Sequence, residues 1–134
     1  MTEYQPAGGT PQGTTSEERT WALASHIGAL VAAWFAFGFL APLLVMLLKG
    51  NESAFVRRHA VESLNFQISL LIYGFVGVIV GTVLTVVTLG IGLVVIVPVV
   101  AVIAIVVLVV IIVATVRASN GEEYRYPLTL RFVS

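Results

Sequence analysis

The chain has 134 residues, 58% hydrophobic and 10% charged, with seven basic and seven acidic side chains and no cysteine. The missing cysteines exclude disulfides, thiolate metal sites and a cysteine nucleophile. The formal net charge of zero offers no electrostatic footprint for nucleic acid or an acidic substrate. A mean hydropathy of +1.01 is more apolar surface than so short a chain can hide in its own core, so lipid is the solvent for most of it.

Residues 1–15 are polar and rich in Gly, Pro, Thr and Gln, a composition that cannot offset ordering entropy, so they are expected to form a disordered tail. Glu3, Glu17, Glu18 and Arg19 do not match the basic start of a signal peptide, so the first apolar run is expected to stay in the mature protein. Thr15-Ser16-Glu17-Glu18 reads as a capping box that starts a helix, with Trp21 near the membrane interface.

Trp21 to Leu48 is apolar except for Ser25 and His26, with Gly38 and Pro42 inside it. One reading is a single kinked span. The other is a hairpin, with helices over about 16–36 and 39–48. The charge pattern favours the hairpin. Lys49, Arg57 and Arg58 form a basic island, and Arg117, Arg125 and Arg131 follow the last apolar run, whereas 86–92 carries no charge. With the basic segments inside, the hairpin also brings Arg19 inside, and both termini are then cytoplasmic.

Asn51 or Ser53 can cap a long helix over about 53–87. Its first turns carry Arg57, Arg58, His59, Glu62, Asn65 and Gln67, several of them three or four apart on one face. Together with His26 they form a candidate polar cluster or partner-docking surface. Gly74, Gly77 and Gly81 form a smooth stripe further along, suited first to packing between helices of the same chain and second to a homo-oligomer face. Gly90 and Gly92 mark an outside turn, and 93–119 reads as the last span, stopped by Asn120-Gly121. Residues 122–134 read as an interfacial tail with its tyrosines at the headgroup boundary.

The fold expected is therefore all-α: an integral membrane bundle of four helices, the first two a short hairpin, with the transmembrane domain over 16–121. No catalytic set, phosphate loop or dinucleotide fingerprint is present in the sequence. His59 and Glu62 have helical ligand spacing, but two ligands make no metal site. No cofactor or metal is expected.

Three motifs carry a resemblance: Trp21-Ala22-x-x-x-His26, Phe55-Val56-Arg57-x-His59-Ala60-x-x-Ser63-Leu64-Asn65-Phe66-Gln67, and Asn120-Gly121-Glu122-x-Tyr124-Arg125-Tyr126-Pro127-Leu128. Together they resemble a family of small bacterial multi-pass membrane proteins of unknown function. That family is distantly related to the twenty-kilodalton, Tic-twenty-like component of the chloroplast inner-envelope import machinery. The resemblance implies four helices with both ends inside. The expected function is that of a non-enzymatic scaffold or accessory subunit in a bacterial inner membrane. Its expected partners are the lipid bilayer and a larger complex or homo-oligomer, not nucleic acid. An oligomeric channel or protein-translocation component is the alternative.

Overall fold

The computed structural model describes residues 13–33 and 39–134. The disordered tail expected over residues 1–15 lies mostly outside them, as does the turn between the first two helices. Four helices make up the architecture: α1 (Ser16–Ala33), α2 (Leu40–Lys49), α3 (Ala54–Val87) and α4 (Leu93–Ser119). There is no strand among the described residues.

The helix ends follow from local chemistry. At α1, the Thr15 N–H donates to Glu18 Oε2 (2.7 Å) and the Glu18 N–H to Thr15 Oγ1 (3.2 Å), a closed capping box. At α3, Ser53 Oγ accepts from the Val56 N–H (3.3 Å). The same hydroxyl donates to Glu18 Oε1 (2.7 Å), so one carboxylate joins the start of α1 to the start of α3. At the end of α4, the Glu122 N–H bonds the Arg117 carbonyl and the Gly121 N–H the Ala118 carbonyl. These are the two bonds of a Schellman stop, with Gly121 at φ +76.

α1 and α2 are an antiparallel hairpin. Trp21 and Ala24 pack with Val45 and Met46, while a side chain on Gly28 would sit 2.9 Å from the Ala41 Cβ. Gly28 therefore permits a close crossing, and the antiparallel packing of α1 on α2 rules out a single kinked span over 21–48. The hairpin lies on the first third of α3 and the last turns of α4, through Ala22, Phe55 and Ala118.

Beyond this four-helix head, α3 and α4 continue as two arms. From Leu71 to Val110 no side chain is buried. Both helices are long and apolar enough to cross a bilayer, and their most apolar windows are only 0% and 6% buried, so neither is the core helix of a soluble fold. Each arm is about 25 Å long, close to the hydrocarbon thickness. The arms touch little. Gly74, Gly77 and Gly81 line an apolar cleft of about 630 Å³ between them, and a Cβ on any of the three meets nothing within 4 Å. Within the chain, then, the glycine stripe makes no close helix contact.

Two outcomes are expected from the capping geometry. Gly121→Ala forces a side chain into the left-handed region and onto the Thr14 hydroxyl; loss of about 1–2 kcal/mol is expected by denaturant unfolding in detergent. Glu18 has its pKa lowered from 4.5, first by the Ser53 hydroxyl and then by the Thr15 N–H. Its contribution is present above 4.5 and is lost as pH falls through the lowered folded value. Glu18→Gln should flatten the stability–pH profile in that acid window.

Candidate functional site: the polar core under the C-terminal strap

The polar side chains of α3 hold the C-terminal segment as a strap. Glu62, Asn65, Ser69 and Tyr73 recur every three or four residues and so share one face. The Tyr73 hydroxyl donates to the Leu128 carbonyl (2.8 Å), and Ser69 Oγ accepts from the Leu130 N–H (2.8 Å). Asn65 Oδ1 accepts from the N–H groups of Phe132 and Val133 (2.9 Å each), and its Nδ2 donates to the Val133 carbonyl (2.8 Å). The register has a geometric cause. Four helical residues rise about 6 Å and two extended residues about 6.6 Å, so alternate strap residues meet successive turns of α3.

The strap first climbs along α3, turns at Pro127-Leu128, and returns. Glu62 sits between its two arms, accepting from the Tyr126 N–H (2.7 Å) and from Arg131 (3.0 Å). Arg58 pairs with Glu123 (2.6 Å), and Arg57 donates to the Ser134 oxygen (3.0 Å). Phe66 stacks on Tyr126 with ring centroids 4.0 Å apart and planes 8° from parallel.

Beneath the strap runs a chain of buried rings. Tyr126 Oη lies 2.8 Å from His26 Nδ1, His26 Nε2 lies 2.8 Å from His59 Nδ1, and His59 Nε2 lies 2.9 Å from the Glu122 carbonyl. The proton positions follow from the end of the chain. A carbonyl only accepts, so His59 Nε2 carries hydrogen and its Nδ1 accepts in the neutral ring. His26 must then donate from Nε2 and accept at Nδ1, and Tyr126 donates. Every position is filled with both imidazoles neutral. Ser63 donates to the Ser25 carbonyl (2.8 Å), tying α3 to α1 beside the rings.

The chemistry available here is positional. The ring chain ends at a tyrosine and a backbone carbonyl. The large cavity beside the strap is lined by Glu62 and Asn65 but by neither histidine. Among the described residues, no group of three His, Cys, Asp or Glu side chains is placed to hold a metal ion.

The candidates named from sequence are thus brought partly together. His26 and His59 touch directly, from helices α1 and α3. Arg57, Arg58, Glu62 and Asn65 all bind the strap, and Gln67 is buried without joining these hydrogen bonds. Tyr126, Arg131, Ser69 and Tyr73 were missed. The strap was expected along the headgroups, yet Tyr126 is only 3% exposed and closes the ring chain. The signal that could have found it is the 62/65/69/73 spacing, which continues a polar stripe into an apolar helix.

Nearly the whole of this arrangement lies within one match. The model of the MamF/MmsF family, described as the magnetosome magnetite crystal formation protein family, matches residues 17–133. The chain belongs to that family. This corrects the Tic-twenty-like relationship drawn from the motifs. In the structure, His26, His59 and Asn65 hold the strap to the helices. No curated protein and no solved structure matches the chain. For this MamF/MmsF family member, Tyr126→Phe leaves buried His26 Nδ1 without its donor. A loss of about 1–3 kcal/mol in unfolding free energy is expected. Tyr124→Phe removes a hydroxyl with no hydrogen bond among the described residues and should stay within about 0.5 kcal/mol.

Proposed function

We propose that this chain is a non-enzymatic, multi-pass protein that contributes to magnetite crystal formation as a scaffold or accessory subunit of a larger membrane assembly. The observation that carries the reading is the match to the magnetite-forming family across residues 17–133. Two further features support it. The polar side chains of the head are committed to holding the strap, which leaves a structural role. The arms present an almost unbroken apolar surface, suited to lipid and to other helices.

In this reading the α3–α4 hairpin crosses a bacterial membrane, either the inner membrane or one formed from it. The head and both termini stay on the cytoplasmic side, because all seven basic residues then lie there. The α1–α2 hairpin enters from that side without completing a crossing of its own. A pore through a single chain has little support. A conducting path needs polar lining, and Asn65, Ser69 and Tyr73 are turned toward the strap.

The chain has no native cysteine, so single-cysteine labelling tests the topology cleanly. Leu89→Cys at the arm tip should react with an impermeant maleimide from outside intact cells or spheroplasts. Glu52→Cys in the head should react only after permeabilisation. Equal reactivity of both from the same side overturns the topology. The assembly is tested by mild detergent purification from a magnetite-forming host. A stoichiometric partner is expected, and recovery of the chain alone overturns the scaffold reading. Deletion that leaves crystal number, size and shape unchanged removes the role in magnetite formation.

A further inference from the structure

A cavity of about 800 Å³ lies between α3 and the two arms of the strap. Three guanidinium groups line it, those of Arg58, Arg125 and Arg131, against two carboxylates, Glu62 and Glu123. The carboxylates are already engaged. Glu62 Oε1 accepts from the Tyr126 N–H and from Arg131 Nη2, and Glu123 Oε1 accepts from Arg58 Nε. The cations are not exhausted. Each guanidinium has five N–H donors. Arg131 directs Nη1 to the Thr129 carbonyl and Nη2 to Glu62, which leaves donors over. Arg125 makes no hydrogen bond or ion pair among the described residues.

Among the described side chains that line the cavity, guanidiniums outnumber carboxylates three to two, the Ser134 oxygen takes its hydrogen bond from Arg57 outside the lining, and Arg125 is left with no acceptor. That balance disfavours a metal cation and favours an anion with several acceptor oxygens, for which the planar guanidinium fork is well matched. One rim of the cavity is apolar. Phe132 lines it and is 62% exposed, and Val61 and Val133 line it as well. A small soluble anion has no use for such a rim, whereas the glycerol and first acyl carbons of a lipid do.

We propose that this cavity binds the phosphodiester headgroup of an anionic phospholipid. Arg125 and Arg131 donate to the phosphate oxygens, and Phe132 packs against the glycerol backbone. The site goes beyond the scaffold reading and does not depend on it. Bound lipid would brace both arms of the strap against α3.

Native mass spectrometry of the detergent-purified full chain tests the assignment, using dioctanoyl phosphatidylglycerol, dioctanoyl phosphatidylcholine and inorganic phosphate as probes. Phosphatidylglycerol should bind about tenfold more tightly than phosphatidylcholine, the size of one charge-assisted hydrogen-bonded contact. Arg125→Gln touches no structural partner and should bring the two lipids to within about twofold, while Arg125→Lys retains part of the preference. Arg117→Gln, outside the cavity, should leave the preference unchanged. Equal binding of the two lipids by the unaltered chain overturns the proposal, as does an undiminished preference in Arg125→Gln. Inorganic phosphate binding as tightly as phosphatidylglycerol overturns the lipid as ligand, since the apolar rim then contributes nothing.

Discussion

The structure depends on the hydrogen bonds between one face of α3 and the backbone of the strap. An extended segment without a sheet leaves its N–H and C=O groups unpaired, and burial of such groups away from water is costly. Asn65 alone satisfies three backbone groups, using both ends of its amide. Ser69, Tyr73 and Glu62 satisfy others. The strap is thus held as a strand would be, with side chains of a helix standing in for a neighbouring strand. Without that face, the segment has no reason to fold back toward the hairpin.

The same helix serves two solvents. Its first part packs inside the head, where Val56, Ala60 and Leu64 are buried with the polar residues. Its last part leaves its apolar side chains exposed nearly all round. The transition near Leu70 explains why α3 has almost no amphipathic bias over its full length. A polar stripe on one half is offset by apolar surface all round on the other. Glu18 adds a second tie at the start of α3, since its carboxylate joins two helix starts. The strap, the ring chain and these caps all lie at one end of the molecule. The arms project from a head whose parts are each held more than once.

The chain belongs to the magnetosome magnetite crystal formation family. The buried rings are fully paired, and their protons are accounted for by the network itself. What remains open to outside chemistry is the surface: the cleft between the arms, and the arginine-lined cavity under the strap. The proposed lipid site would link the strap to a membrane surface.

The number of helices, their places in the chain, the capping box, the Ser53 cap and the Gly121 stop could all be read from the sequence. Those features depend on neighbours within four residues, and lipid solvation makes long apolar runs unambiguous. The charge pattern also favoured the α1–α2 hairpin that the structure contains. Whether His26 meets His59 depends on how α1 crosses α3, where Ala22 packs against Phe55 and Ser63 bonds the Ser25 carbonyl. The burial of Tyr126 depends on a tail whose own residues signal only polarity and a turn. Its place is decided by acceptors and donors more than fifty positions away, and only the folded chain brings these within hydrogen-bond reach.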